Sequence, residues 1–356
     1  MRPSPSIQPW SSQHLQKWAT LCIVFFTAIL VALAFSQIWQ ETPVPISTPA
    51  TMAEPVVEID EPIQPIPLSL DLDDRVVALG DRLFHDPLLS SDYTLSCASC
   101  HGLDTGGTDR LVVSRGINGN LLATNSPTVF NIGFHSRQSW DGRADTLEDQ
   151  MGGPLQSVTT MGGLTWSQVI ERIEQDPDYI QAFREVYQTR QITEAQVKDA
   201  IATFERSLYT PNAPFDQYLR GDKTAISEDA KQGYALFKSY GCVTCHQGVA
   251  IGGNMFQTLG IFGDYFADRG TPITKADWGR YNVTGNNLDR HVFKVPSLRN
   301  IVLTSPYFHD GNVATLNTAI RLMGQYQLGV DIPDQDVDLL LTFLQSLTGE
   351  YQGNPL

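Results

Sequence analysis

Apolar side chains recur at helical spacing through most of the chain from about residue 71. The first predicted helix has an apolar face formed by Val76, Leu79, Leu83 and Phe84. The last predicted helix has an apolar face formed by Val337, Leu340, Leu341 and Leu344. A 3.6-residue period of this kind is typical of amphipathic helices that bury one face.

Polar residues mark the starts of further helices between these two. Thr165-x-x-Gln168 and Thr193-x-x-Gln196 are capping boxes, and each precedes apolar residues at i, i+3 and i+4 spacing. Asp176 followed by Pro177 is an N-cap with proline at the first helical position. The pattern predicts an all-α globular part.

An uncharged apolar run extends from Trp18 to Ser36. As a helix it would span about 28 Å, close to the ~30 Å of a bilayer core. Basic residues precede it, which places the N-terminus in the cytoplasm and the rest outside. We therefore predict that residues 1–40 form a cytoplasmic stub and a transmembrane segment. The alternatives are export with cleavage near Ala34 and a buried core helix.

Residues 41–70 are rich in proline and in acidic side chains. Proline interrupts helices and sheets, so this stretch is predicted to be a semi-extended linker of polyproline character. Such a linker would hold the globular part away from the membrane surface.

The charge of the chain excludes one class of function. The sequence has 24 Lys and Arg residues against 39 Asp and Glu residues, a net charge of −15. Nucleic-acid binding depends on basic side chains that neutralise phosphates, so we expect no nucleic-acid partner. The negative charge favours partners that carry a positive face.

Two long stretches rich in glycine and proline, 102–133 and 247–290, need a role beyond connecting helices. A Cys-x-x-Cys-His motif precedes each of them. The motifs are Cys97-Ala-Ser-Cys100-His101 and Cys242-Val-Thr-Cys245-His246. A helix, a motif, a long loop and later helices thus occur twice, which predicts an internal duplication.

The repeated motif is the attachment pattern of c-type haem. Its two thiols bond to the haem, and the histidine coordinates the iron. A zinc site, a disulfide and a thioredoxin-like redox pair are the alternatives. Zinc would need only the four thiolates, and a redox pair would sit in a βαβ context that this pattern lacks. We predict two covalent haems with His101 and His246 as proximal iron ligands.

The ligand on the opposite side of the iron decides what each haem can do. Methionine there makes an electron-transfer haem, and an empty side can bind small molecules. After the second motif only Met255 and Met323 are available. Spacing favours Met323, because Met255 follows His246 too closely to reach round the ring; Met255 is the alternative.

Ordered segments throughout the globular part resemble the bacterial di-haem cytochrome c peroxidase family, which is related to the MauG-type enzymes. The segments include LGDRLFHDPLLS, CASCH, NSPTVFN, WDGRADTLEDQ, GCVTCHQG and VPSLRNIVLTSPYFHDG. The resemblance implies two domains, each similar to a small all-α cytochrome c. Residues 71–215 would carry the peroxidatic haem, and residues 216–356 would carry the electron-transfer haem.

The resemblance also implies roles for individual residues. Met323 falls on the family's methionine ligand, where MauG-type enzymes carry tyrosine. Trp140 matches the tryptophan between the haems, an electron relay; its alternative role is that of a core aromatic at a domain interface. An interdomain calcium site would be formed by Asn125, Thr304 and Pro306, since oxygen ligands suit Ca²⁺.

Two positions depart from the family at the peroxidatic haem. Ile117 stands where the family has a detachable histidine, so we predict an open first haem without reductive activation. Thr160 stands where the family has its acid–base glutamate, and a threonine hydroxyl does not titrate near neutrality. Gln150 matches the family's distal glutamine. His135 is either an unusual catalytic base or a structural residue.

The resemblance implies an oxidoreductase that reduces hydrogen peroxide with electrons from a soluble donor of the cytochrome c or cupredoxin class. Because the acid is missing, a non-peroxidatic electron carrier or a redox or gas sensor is the alternative. An oxidase that acts on a partner protein comes third and is disfavoured by Met323. The expected location is the periplasm or an equivalent extracytoplasmic side. Members of the family often dimerise, so the resemblance also suggests a homodimer.

Overall fold

The computed structural model of the chain describes residues 61–356, and these are largely helical. The apolar run at 18–36 and the cleavage position near Ala34 lie outside the described residues, as does most of the predicted linker. Among residues 61–356, no helix has both the length and the apolar character needed to cross a membrane.

The helices of the described residues fall into two groups along the chain. The first group is α1 Asp74–His85, α2 Leu147–Gln150, α3 Gly152–Gln156, α4 Trp166–Ile173, α5 Pro177–Tyr187 and α6 Glu194–Ser207. The second group is α7 Pro214–Leu219, α8 Glu228–Ser239, α9 Tyr265–Asp268, α10 Tyr281–Thr284, α11 Leu316–Met323 and α12 Asp334–Gln345. A π-helical turn, Gly324–Leu328, extends α11.

Four short strands among residues 61–356 correct the prediction that the globular part is all-α. Strand β1, Phe256–Thr258, pairs antiparallel with β2, Val292–Lys294. Near the C-terminus, β3, Glu350–Tyr351, pairs with β4, Asn354–Pro355. The β1–β2 pair closes the long second loop, where backbone groups need partners that no helix supplies.

The predicted helix starts are confirmed. Thr165 and Gln168 form a reciprocal capping box at α4, and Thr193 and Gln196 form another at α6. Asp176 caps α5, with proline at its first position. These contacts satisfy amide groups that the first turn leaves free.

Helices α1 and α6 form the centre of the first core. Leu79, Leu83 and Phe84 of α1 are buried there, as the apolar pattern predicted. The two helices are in close contact at Gly80, where a Cβ atom would lie 1.9 Å from the carbonyl oxygen of Ala200. Only glycine allows the backbones to come this near.

The second core repeats this arrangement with α8 and α12. A Cβ atom at Gly233 of α8 would lie 2.0 Å from the carbonyl oxygen of Leu339. Val337, Leu340 and Leu344 of α12 are buried, as predicted. The matching glycine contacts support the predicted internal duplication.

The two cores divide between Leu208, which belongs to the first, and Phe215, which belongs to the second. The C-terminus then returns to the first half, where the ring of Tyr351 meets the edge of Phe130 at 5.2 Å between centroids. The halves are therefore joined by more than their connecting segment.

The end of the predicted linker packs against the second half. Ile63 is fully buried in the second core, and Ile66 is also fully buried. The amide of Gly248 donates to the Pro62 carbonyl at 2.8 Å, and Arg299 donates to the Gln64 carbonyl at 2.9 Å. Proline lacks an N–H group but keeps its carbonyl, which can accept such bonds. Hydrogen bonds of this kind can therefore hold an irregular segment in place.

Side-chain hydroxyls organise the first long loop, 102–133. Thr108 donates to the carbonyl of Ser126 at 2.9 Å, and Thr128 donates to the carbonyl of Gly106 at 2.7 Å. The hydroxyls of Ser114 and Ser126 lie 2.6 Å apart. These bonds replace the regular hydrogen bonds that a helix would supply.

Candidate haem centres and the space between them

The first Cys-x-x-Cys-His motif forms a single tight turn. Cys97–Ser99 is a 3₁₀ turn, and the amide of His101 donates to the Cys97 carbonyl at 3.0 Å. The Nδ1 atom of His101 donates to the carbonyl of Gly107 at 3.3 Å, which leaves Nε2 unprotonated. Burial lowers the pKa of His101 and keeps the ring neutral. A neutral imidazole held through Nδ1 is suited to coordinate a metal through Nε2.

The second motif has the same geometry. Cys242–Thr244 is a 3₁₀ turn, and Nδ1 of His246 donates to the carbonyl of Ile251 at 3.3 Å. Burial lowers the pKa of His246 to about 4. Each half of the molecule thus presents two thiols and one free imidazole nitrogen on a single turn.

All four motif thiols are free and partly buried. Burial, with Glu205 nearby, raises the pKa of Cys97 to about 12, and burial raises the pKa of Cys242 to about 11. Protonated thiols of this kind do not fit a reactive redox pair. Within residues 61–356, the residues of the two motifs also do not come together as one group of metal-ligand atoms, which disfavours a shared zinc site. The thiols and histidines of the two motifs fit the attachment and coordination of covalent haem.

The predicted distal methionine lies at the end of a helix. Met323 is the last residue of α11 and is partly buried, and the π-helical turn follows it directly. The alternative, Met255, precedes β1, and its carbonyl accepts from the amide of Val295 at 3.0 Å. Met323 remains the predicted ligand of the second iron, with Met255 as the alternative.

The structure brings the two departures from the family pattern together. The amide of Ile117 donates to the carbonyl of Thr160 at 3.0 Å, and Ile117 is buried. A Cβ atom at Gly116 would lie 1.9 Å from the Thr159 carbonyl oxygen, so the two loops are in direct contact. The Thr160 hydroxyl donates to Ser157 at 2.9 Å. An aliphatic group and a hydroxyl group therefore lie at the two positions that the resemblance assigns to a histidine and an acid.

Gln150 lines a polar cavity next to α2. The cavity has a volume of about 310 Å³ and is also lined by Arg143, Asp145 and Asp149. Gln150 is the last residue of α2 and is partly buried. Sequence reasoning singled out Gln150 but missed Asp149, although one turn of helix starting at Leu147 would have placed both beside the same cavity.

Trp140 lies where the two halves meet. Its indole Nε1 donates to the carbonyl of Asn125 at 2.9 Å, and its own carbonyl accepts from the amide of Lys294 at 2.8 Å. Its ring meets His309 edge-on, with centroids 6.4 Å apart. Trp140 thus contacts both halves, which is what both of its predicted roles require.

His309 is a buried neighbour of Trp140 that sequence reasoning missed. Its Nε2 lies 2.7 Å from a carboxylate oxygen of Asp277, and Arg269 bridges Asp277 and Asp310. Burial would raise the pKa of Asp277, but the hydrogen bonds from His309 and Arg269 hold it well below its usual range. The signal was present in the duplication, because Ser-Trp-Asp-Gly at 139–142 matches Phe-His-Asp-Gly at 308–311.

His135 is held at the interface of the two halves. Its Nδ1 lies 2.9 Å from Nζ of Lys294, and a Cβ atom at Gly253 would lie 2.4 Å from its ring. Its backbone amide donates to the Ile132 carbonyl at 3.1 Å, and the described contacts of its ring are with the second half of the chain and not with Ile117 or Thr160. This geometry favours the structural role over the catalytic one.

The residues predicted to hold calcium come from both halves. The side chain of Asn125 donates to the Leu111 carbonyl at 2.8 Å, and the hydroxyl of Thr304 donates to the Ile301 carbonyl at 3.2 Å. Pro306 follows a cis peptide bond. Calcium binding by these residues stays a prediction.

Comparisons with known proteins agree with this geometry. The sequence profile of the family described as di-haem cytochrome c peroxidase matches residues 74–224. A cytochrome c peroxidase of Escherichia coli is 47% identical over 293 residues, which cover 82% of this chain and 62% of that protein. The cytochrome c551 peroxidase of Nitrosomonas europaea is 42% identical over 296 residues, covering 83% of this chain and 86% of that protein.

A solved structure shares the fold. The crystal structure of a MauG-like protein associated with microbial copper homeostasis superimposes with a TM-score of 0.70 at 28% identity. The match covers 86% of this chain and 96% of the other.

Two haem-attachment turns in a duplicated helical fold define an oxidoreductase of the di-haem c-type class. The extent of the sequence identity makes the assignment narrower: the chain belongs to the di-haem cytochrome c peroxidase family, whose members carry two c-type haems. The family resemblance stated from the sequence is therefore confirmed, and the protein is an oxidoreductase of the peroxidase type.

Proposed function

We propose that the chain reduces hydrogen peroxide at the His101 centre with electrons from a soluble donor that enter at the His246 centre. The reaction consumes one peroxide, two electrons and two protons and yields two waters, while the donor loses two electrons. The single observation that carries this proposal is Trp140, whose indole and carbonyl groups contact both halves of the chain.

The two centres would have different tasks because their surroundings differ. A c-type haem supplies an iron that changes oxidation state and, where one side is free, binds a small oxygen species. Ile117 offers no ligand atom, so the first centre would be left open to peroxide. Met323 would close the second centre, which suits electron entry.

The side chains around the first centre would orient peroxide and move protons. The carboxamide of Gln150 can donate a hydrogen bond to an oxygen atom of the substrate. The Thr160 hydroxyl can also donate, but it cannot take a proton near neutral pH. Asp149 lines the same cavity and is exposed, so it would offer protons a polar group on the solvent side. We therefore expect turnover that is measurable but slow for this family.

The donor and the location follow from charge and from the start of the chain. A net charge of −15 favours a donor with a positive face, such as a basic cytochrome c or cupredoxin. The chain would act on the extracytoplasmic side, either anchored by the run at 18–36 or released by cleavage near Ala34. Calcium at Asn125, Thr304 and Pro306 would fix the contact between the halves.

The test is steady-state peroxide turnover with a reduced cytochrome c or cupredoxin as donor. Trp140→Phe should slow turnover while leaving both haems attached, because it removes the indole between the halves. Trp166→Phe, at a buried tryptophan of the first core, is the matched control. Turnover should fall as salt screens the donor's charge. Equal turnover rates for Trp140→Phe and Trp166→Phe would contradict the proposal that electrons pass between the halves through Trp140.

A second candidate function is favoured by the contact between Ile117 and Thr160. A site without histidine or carboxylate suits a protein that carries electrons or senses a gas or redox state through an open haem. Reduction of both haems by donor without peroxide consumption, together with carbon monoxide binding at the first centre, would support this alternative.

A further inference from the structure

Lys294 is a buried cation without an acidic partner. It is the last residue of β2 and is 6% exposed. Its Nζ lies 2.9 Å from Nδ1 of His135. Among residues 61–356 no carboxylate forms a salt bridge with it. A lysine this deeply buried normally requires an anion beside it.

His135 adds an unused donor to the same place. An ammonium group can only donate, so Nδ1 of His135 accepts and the ring proton lies on Nε2. Within the described part of the chain, this Nε2 is buried and has no hydrogen-bond partner. A buried N–H group without an acceptor is unfavourable, so the pair lacks an acceptor as well as a negative charge.

The pair is rigidly placed between the two halves. The amide of Lys294 donates to the Trp140 carbonyl at 2.8 Å, and the amide of Ser136 donates to the Gly253 carbonyl at 2.8 Å. Gly253 also lies against the His135 ring. These contacts come from both halves, so the pair cannot turn towards solvent without separating them.

We propose that Lys294 and His135 form a carboxylate-binding site for a haem propionate, at the contact between the two halves. A propionate oxygen would accept from the ammonium group and from Nε2–H, which satisfies both the charge and the free donor. This inference rests on the two-haem assignment within the proposed function. Either haem could supply the carboxylate, and the experiment below identifies which of the two haems does so.

The expected consequence is a change in reduction potential. A positive charge near a haem disfavours the more positive ferric state, so its removal should lower the midpoint potential of the haem whose propionate it binds. The expected change is on the order of tenfold in the reduction equilibrium, or about 59 mV for one electron.

The experiment is a spectroelectrochemical titration of both haems in the holoprotein, without peroxide. Lys294→Gln should lower the potential of one or both haems, and the haem that responds identifies the carboxylate. Lys294→Arg should keep the potentials near those of the native protein. The exposed Lys275 gives a control, Lys275→Gln, which loses the same charge and should move neither potential.

Unchanged potentials in Lys294→Gln with both haems attached would overturn the proposal. If that variant does not take up haem, His135→Leu decides, because leucine has no N–H group for the carboxylate: a lowered potential supports the site, and unchanged potentials refute it. Because no peroxide is present, these results are independent of whether the protein turns peroxide over.

Discussion

Replacing Thr160 by glutamate should increase peroxide turnover. The carbonyl of Thr160 accepts from the amide of Ile117, and its hydroxyl donates to Ser157 at 2.9 Å. A glutamate here would put a carboxylate beside an aliphatic side chain at a partly buried position. Partial desolvation raises the pKa of a carboxyl group, which suits proton transfer near neutral pH.

The size of the gain follows from the surroundings of Thr160. A well-placed general acid–base group contributes about 10²–10⁴ in rate. The longer side chain must leave Ser157 and enter a loop that was not shaped for it, so we expect a gain on the order of 10–10³. Loss of the Thr160–Ser157 hydrogen bond should cost only about 1 kcal/mol of folding free energy.

The assay is steady-state turnover of peroxide with a reduced cytochrome donor, measured across pH. Thr160→Gln is the matched control, because it has the same size as glutamate and does not titrate. The activity of the glutamate variant should rise with pH through the pKa of the new carboxyl group, since only the ionised form accepts a proton. Equal rates for the two variants, at all pH values, would refute the reasoning.

Three further outcomes test other parts of the site and the fold. Met323→Ala should lower the potential of the second haem, because thioether ligation favours ferrous iron; a drop in Met255→Ala instead would reassign the ligand. Ile117→His should convert the high-spin electron paramagnetic resonance signal expected of the first haem to a low-spin one, and a native protein with only low-spin signals would contradict the open site. Gly80→Ala should destabilise the protein by about 1–3 kcal/mol in denaturant titrations, because the new methyl group meets the facing helix. Gly153→Ala, where nothing lies within 4 Å, should instead stabilise slightly, and similar losses for both alanines would contradict the packing argument.

Local sequence determined the haem-attachment turns and most helix starts. In Cys97-Ala-Ser-Cys100-His101 every chemical group lies within five residues, so one turn brings the thiols and the imidazole together. The capping boxes at Thr165 and Thr193 are local in the same sense. Such features depend on short-range hydrogen bonds, which the order of residues fixes directly.

The irregular regions were less predictable. The proline-rich pattern did not indicate that Ile63 and Ile66 would be buried against the second half, because the partners of Pro62 and Gln64 are Gly248 and Arg299. The short strands β1 and β2 were missed for a related reason. Three residues carry too little pattern to distinguish a strand from a loop.

Tertiary structure alone decided which distant residues share a site. Ile117 meets Thr160, His309 meets Trp140, and Lys294 meets His135 across 159 residues of chain. No period or spacing encodes these contacts. The first joins two loops of the first half, and the other two arise where the two halves meet. The sequence by itself therefore specified the two haem-binding turns, while the packing of the halves determined what surrounds them.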